Sequence, residues 1–228
     1  MKHRDFCRVL AALLSYPDQR LRTAMAELGD ALSDVRGDMP QLPALIKDQL
    51  LALTQNLGQG DPYEVEERYV QCFDRGRATS LYMFEHVHGD SRDRGPAMVD
   101  LAQTYEQAGM FLGDGELPDY LPVALEFAST QPERVARDFL SEMGHILNTI
   151  HTALVERESP YAAVLAATLW LAGVPVQALV LPKEESMDEA WQEPDAFGGC
   201  SSEGQAKPDQ PQPIHIVRNA KPRPGAAA

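Results

Sequence analysis

Val135-Ala136-Arg137-Asp138-Phe139-Leu140-Ser141-Glu142-Met143-Gly144-His145-Ile146-Leu147-Asn148-Thr149-Ile150-His151-Thr152-Ala153-Leu154 decides the fold. Val135, Phe139, Met143, Ile146, Leu147, Ile150 and Leu154 recur at spacings of three and four, which sets them on one face of a helix. Pro160 breaks the run, and Tyr161, Val164, Leu165, Thr168, Leu169 and Ala172 begin another. The same period appears upstream. Phe6, Val9, Leu10, Leu13 and Leu14 form a stripe stopped by Pro17. Leu21, Met25, Leu28 and Leu32 form a second. Leu42, Leu45, Ile46, Leu50, Leu53 and Leu57 form a third, stopped by Gly58 and Gly60. Asp61-Pro62 then supplies an N-cap and a proline at the first helical position, opening a helix that turns Val65, Tyr69 and Phe73 inward. Gly95-Pro96 opens a helix with Met98, Leu101, Ala102, Tyr105 and Leu112 on one side, and Pro118-Asp119 starts a short one. Residues 1–173 contain no alternating strand pattern. The reading is all-α: one helical bundle over 1–181. A Pro-rich, largely disordered tail follows over 182–228, holding seven of the chain's seventeen prolines, with Trp191 and Phe197 as its candidate anchors to the body.

The 228 residues suffice for one domain with a sizeable core. Lys plus Arg is 20 against 34 for Asp plus Glu, a net charge of −14. Such a chain repels nucleic acid and anionic membrane surfaces, and suits basic or amphipathic protein partners. Fifteen of the twenty basic residues are Arg, a bias that fits fixed carboxylate pairings or a GC-rich genome. Cys7, Cys72 and Cys200 are widely spaced and form no CxxC, so the expectation is reduced thiols and no zinc ribbon. The start lacks a secretory h-region. Tyr161 to Leu181 is apolar enough to test as a membrane span, but Gly173, Pro175 and Gln177 interrupt it and no basic cluster flanks it. It reads as a buried helix followed by an extended apolar segment. A cytoplasmic protein without stable membrane insertion is expected.

The unusual stretch is 73–95. From Asp74 to Gly95 it carries four acids and four arginines, locally neutral inside an acidic chain. Asp74, Arg75, Arg77, Glu85, Arg92, Asp93 and Arg94 sit between glycines and around the apolar block Leu81-Tyr82-Met83-Phe84. Charges in that setting pair and become partly buried, because an uncompensated buried charge costs about 3–5 kcal/mol. Four readings of the stretch compete. Arg75, Arg77, Arg92 and Arg94 could bind phosphate, but the spacing is neither a P-loop nor a GxGxxG. Glu85, His86 and His88 could hold a metal, giving a metal-dependent helical hydrolase with Asp90, but HExxH is absent. The block could dock a peptide helix on an apolar floor with a charged rim. Or the charges form an internal network joining two helices.

Tyr69-Val70-Gln71-Cys72-Phe73-Asp74-Arg75-Gly76-Arg77-Ala78-Thr79-Ser80-Leu81, Phe84-Glu85-His86-Val87-His88-Gly89, Ser91-Arg92-Asp93-Arg94-Gly95 and Met98-Val99-Asp100-Leu101 resemble the signature of the NarJ-type nitrate reductase molybdenum cofactor assembly chaperones. The resemblance extends more weakly through Leu13-Leu14-Ser15-Tyr16-Pro17-Asp18, Tyr105-Glu106, Glu116-Leu117-Pro118-Asp119-Tyr120-Leu121-Pro122, Ala190-Trp191-Gln192-Glu193-Pro194 and Gly199-Cys200. It covers about 1–200. It implies the all-helical fold of the redox-enzyme maturation chaperones and a non-enzymatic role in nitrate assimilation. It implies unfolded-protein binding: the chain would grip the N-terminal segment of the apo catalytic (alpha) subunit of nitrate reductase. It would hold that subunit, with its beta partner, off the membrane for molybdenum cofactor insertion. Molybdenum cofactor biosynthesis proteins join the implied partners, and no cofactor or metal of its own is expected. Where the family often has His after Pro-Asp, this chain has Tyr120, which puts any imidazole role there in doubt.

A holding chaperone needs an apolar groove and selecting charges. The candidate groove is Tyr69, Phe73, Leu81, Tyr82 and Phe84 with the helix bearing Met98 and Leu101; for Phe73 and Leu101 a core role is favoured. Asp74, Arg75, Arg77, Arg92 and Arg94 shape it, and Glu116 and Asp119 are candidates for gripping a basic peptide. His86 and His88, beside Glu85, are candidates for coupling binding to proton uptake.

Overall fold

A computed structural model describes residues 1–33, 42–89 and 91–180. The tail reading, with Trp191, Phe197 and Cys200, lies outside them. Ten helices occur among the described residues: α1 (His3–Leu14), α2 (Gln19–Ser33), α3 (Ala44–Gln59), α4 (Pro62–Phe73), α5 (Met83–Val87), α6 (Arg94–Gln107), α7 (Leu121–Thr130), α8 (Glu133–Glu142), α9 (Gly144–Glu156) and α10 (Ala162–Ala172). They contain no strand, only one isolated antiparallel bridge between Tyr82 and Tyr120. The chain is all-α, as the 3.6-residue period requires.

The centre is α10. Nine of its eleven residues are buried, and it packs on α9, α8, α1 and α3. A helix apolar on every side belongs in the middle of a bundle. Around it α1 lies along α7, α7 turns into α8, and α2 pairs with α3. The segment tested as a membrane span therefore splits into a core helix of 11 residues and a non-helical run. No helix among the described residues is long and apolar enough to cross a membrane. The run 174–180 lies along α9 through side chains that act as a ladder: Gln177 N donates to Asn148 Oδ1 (2.7 Å), Leu179 N to Thr152 Oγ1 (3.3 Å), and Asn148 Nδ2 to Pro175 O (3.3 Å). That explains why two polar residues are buried on α9: each satisfies backbone that has no helix or sheet of its own.

The stripe from Val135 to Leu154 is two helices, not one. Met143 leaves helical geometry (φ −89°, ψ 4°) and separates α8 from α9. Beside the break, Val174 sits so close to Gly144 that a Cβ there would lie 3.0 Å from it. The break also explains why Val135, on the predicted buried face, is exposed while Ala136 and Leu140 face inward. Elsewhere local signals hold. Asp61 Oδ1 accepts from Tyr63 N and Glu64 N, with Pro62 at the start of α4, and Asp18 Oδ1 accepts from Leu21 N at the start of α2. The helix expected from Gly95-Pro96 begins at Arg94, and the one expected from Pro118-Asp119 begins at Leu121, because those two residues bond elsewhere.

At the end of α10, Gly173 takes the left-handed conformation (φ 71°) and Val174 N donates back to Leu169 O (2.9 Å), a Schellman closure that glycine adopts without steric cost. A Cβ there would also meet the Arg137 guanidinium at 3.1 Å. Gly173→Ala is expected to cost about 1–2 kcal/mol, the left-handed penalty alone, since the arginine tip can move. Chemical denaturation measures it; an unchanged midpoint would refute the strain.

Candidate functional site

After α4 the chain must turn, and Gly76 does so at φ 110°, a conformation suited to glycine. The loop is then tied from two directions. The Thr79 hydroxyl donates to Cys72 O. Arg157, at the end of α9, donates to Cys72 O, Arg75 O and Thr79 Oγ1. Segment 81–83 runs antiparallel to 119–121: Met83 N donates to Asp119 O (2.9 Å) and Leu121 N to Leu81 O (2.9 Å).

Asp119 is the pivot. Its side chain is 0% exposed. Oδ2 accepts from Phe84 N (3.2 Å), capping α5 from outside the helix, and Oδ1 makes no hydrogen bond. Arg94, at the start of α6, places its guanidinium 3.7 Å from Asp119 Oδ2 and 3.7 Å from Glu85 Oε1. Burial pushes the Asp119 carboxyl above the usual carboxylate range, against the pull of the Phe84 N–H and Arg94. One neutralising cation beside a buried carboxylate is what such burial demands.

Beside this pivot lies a run of aromatic rings. Tyr69 OH donates to Leu14 O (2.8 Å) and lies 3.2 Å from Tyr120 OH. Tyr82 and Tyr120 rings are 5.2 Å apart, and Tyr16 meets Tyr69 edge-on at 5.5 Å. Tyr16 OH donates to Glu66 Oε2 (3.0 Å). That hydrogen bond raises the Tyr16 pKa, and burial raises those of Tyr69, Tyr82 and Tyr120. The Asp74 carboxylate adds to all four. Tyr120, which stands where the resemblance expects His, is thus a hydroxyl partner of Tyr69 and a ring partner of Tyr82.

The expected groove residues separate. Tyr69, Phe73 and Leu81 are in the core and cannot floor an open groove. Tyr69 and Phe73 meet Tyr161 edge-on inside the bundle. Tyr82 (37% exposed) reaches the surface and Phe84 is partly exposed. Glu116 is exposed and accepts from Gly113 N (2.8 Å). Asp119, expected to grip a basic peptide, is buried under α5. Asp74, Arg75, Arg77, Arg92 and Asp93 lie at the surface, with Asp93 accepting from the Ser91 hydroxyl (3.3 Å). The internal network therefore forms around Arg94, Glu85 and Asp119. His86 Nε2 lies 2.8 Å from Ser80 O, and burial lowers its pKa against the pull of that carbonyl and Glu85. Glu85 turns to Arg94 and His86 to a carbonyl, and Asp90 lies outside the described residues. No group of three metal-ligating side chains forms among the described residues.

Two contributors escaped the sequence. Arg157 is 78 residues from the Thr79 it binds, and no local pattern announces it. Tyr16 belongs to the Leu13–Asp18 match, the only hint available. Tyr82 just before α5, Val87 on α5, Val99 on α6, and Phe111 (76%) and Leu117 in the loop after it are all exposed. Tyr105 is the one fully buried residue of α6; its hydroxyl donates to Pro118 O (2.9 Å).

The family model described as nitrate reductase delta subunit matches residues 17–167. The nitrate reductase molybdenum cofactor assembly chaperone NarJ of Escherichia coli K12 is 38% identical over 200 residues, 87% of this chain and 83% of that protein. The probable nitrate reductase molybdenum cofactor assembly chaperone NarW of the same strain is 37% identical over 82% of this chain and 80% of its own. The probable NarJ chaperone of Bacillus subtilis 168 is 31% identical over 70% and 84%. These relatives are named as assembly chaperones, not catalysts. With the family match and the identities in agreement, the chain belongs to the nitrate reductase delta subunit family, as a non-enzymatic chaperone of the NarJ type acting in molybdenum cofactor assembly.

Proposed function

We propose that the chain binds the N-terminal segment of the apo catalytic subunit of nitrate reductase in the cytoplasm and holds it for molybdenum cofactor insertion before membrane attachment. The names of the relatives support nitrate reductase as the client. One observation of this chain carries the docking role: five large apolar side chains, Tyr82, Val87, Val99, Phe111 and Leu117, are exposed along the segment from Tyr82 to Leu117. A contiguous exposed apolar patch marks a surface awaiting a partner, and on this proposal these side chains form one. Acids border them, with Glu116 and Asp74 at the surface, and a net charge of −14 favours a basic amphipathic segment. Molybdenum cofactor biosynthesis proteins are further partners on this reading, because insertion requires a donor. The hydrolase reading finds no support, since Glu85 and His86 are committed to Arg94 and Ser80 O.

The test is binding of a fluorescent peptide of the client's first ~20 residues, a length that forms an amphipathic helix with several anchors. Full-length chain is expected to bind it and to ignore a scrambled copy. Val99→Asp and Phe111→Ser are expected to weaken binding about tenfold or more with unchanged melting temperature, because each puts polarity into an apolar contact without touching the core. Equal affinity for native and scrambled peptides would overturn the proposal.

A further inference from the structure

The run 174–180 has two edges, and α9 uses one of them. Pro175 O, Gln177 N and O, and Leu179 N all bond to Asn148 or Thr152. A period of two is that of extended backbone, in which the intervening residues turn their N–H and C=O groups the other way. Those residues are Val176, Ala178 and Val180. They make no hydrogen bond among the described residues, and all three are exposed, Val176 by 48% and Val180 by 101%. Donors and acceptors thus lie in a row on an open edge. Pro175 falls on the bonded edge, so its missing N–H leaves the open one intact. Pro182, two residues after Val180, has no N–H to extend the row.

The run Val176-Gln177-Ala178-Leu179-Val180-Leu181 carries no charge in a chain of net −14. Its neighbours add little: α9 has only His145, His151 and Glu156 as ionisable side chains, and α8 brings Arg137 to Gly173 at the start of the run. An exposed, uncharged edge rich in β-branched residues has no charge or interior proline to keep another strand away. We propose that this edge pairs with the same edge of a second copy of the chain, antiparallel about a two-fold axis through Ala178. That register satisfies every open group. Ala178 exchanges bonds with its own counterpart, and Val176 of each copy exchanges them with Val180 of the other. A shift of two residues would strand groups at both ends. The contact is short, well below the area of a stable dimer, so the pairing is weak and reversible. Salt strengthens it by screening the repulsion between two acidic bodies. The inference does not depend on the client reading above.

Sedimentation velocity of the full chain tests it, from about 10 µM to about 1 mM, the range of weak association. A monomer–dimer equilibrium that tightens with salt is expected. Ala178→Lys and Ala178→Glu each set like charges opposite one another on the axis. Each should weaken the dimer about two- to fivefold, although Lys lowers the net charge. Mixing the two variants should restore association, a pattern that requires residue 178 to face its own counterpart. Ala178 is exposed, so melting temperatures should not move. Ala178→Pro removes the central donors and should abolish the dimer. A chain that stays monomeric throughout would overturn the proposal. So would a dimer indifferent to charge at 178, or a mixture no stronger than either variant alone. A monomer in which Ala178→Pro weakens client-peptide binding would overturn it too, by assigning the edge to an extended client segment.

Discussion

Replacing Arg94 with alanine is expected to lower the melting temperature by about 6–12 °C, from a loss of about 3 kcal/mol. The arginine is 27% exposed, so the lower end of the cost of breaking a buried pair applies. Removing it strands the fully buried Asp119 carboxylate, whose Oδ1 already has no hydrogen bond, and leaves Glu85 beside it. The pH dependence identifies the cause. Burial raises the Asp119 pKa above its ordinary 3.8, and losing Arg94 raises it further. A carboxyl with a raised folded pKa binds its proton more tightly when folded. Its stabilising contribution is complete below 3.8 and is lost as pH rises through the folded value. The Arg94→Ala defect should therefore be largest near neutrality and shrink as pH falls toward 4. Asp119→Asn added to Arg94→Ala should recover most of the loss, because an amide still accepts from Phe84 N and carries no charge. A defect independent of pH, or unrelieved by the second change, would mean that Arg94 stabilises by packing alone.

How far the sequence could be read follows from the range of each signal. The period of three and four marked nearly every core helix, and Asp61-Pro62 marked the start of α4 to the residue, because caps and stripes are local. Beside the break at Met143, Gly144 packs against Val174 from 30 residues on, a contact that no local pattern announces. In the same way Pro118-Asp119 looks like a helix start until segment 81–83 arrives to bond it. Of the charges of 74–95, Arg94 and Glu85 pair beside Asp119, while Asp74, Arg75, Arg77, Arg92 and Asp93 lie at the surface; which ones pair depends on what meets Asp119. That residue lies 25 positions past Arg94, and its sequence setting suits an acid that grips a basic peptide as well as a buried one. Burial of Tyr69 reflects the same limit: an aromatic on a helix face fits a groove or a core equally well until the opposite wall, here Tyr161, is known; Phe73, for which the core is favoured, is buried against the same ring.

One consequence unites the site. Both ends of α6 are fastened to the same two residues: Arg94 to the Asp119 carboxylate and the Tyr105 hydroxyl to Pro118 O. Pro118–Leu121 is in turn paired to 81–83 and caps α5. Position 118–121 therefore sets α5 and α6 together, and with them the exposed side chains of Tyr82, Val87 and Val99. α6 otherwise touches the other helices only sparsely.

Tyr105→Ala should release that helix. The ring is completely buried, stacked on Phe127 at 4.6 Å and near Phe139 at 6.3 Å, so truncation is expected to cost about 3–5 kcal/mol. The site of the loss is the informative part. Tyr105, Val123 and Phe127 form a small cluster apart from the main core, and Tyr105 is the only fully buried residue α6 contributes. The destabilisation should then appear as local opening: amide exchange in 94–107 accelerating by orders of magnitude while α1 and α7–α10 keep their protection. Tyr105→Phe keeps the ring and gives up one buried hydrogen bond, about 1 kcal/mol, and should leave α6 in place. Client-peptide affinity should fall with Tyr105→Ala and hold with Tyr105→Phe, since the exposed apolar face needs a folded α6 to be presented. Protection lost equally across α1, α9 and α10 would show instead that α6 is part of the cooperative core, and that its single buried tyrosine supports the whole bundle.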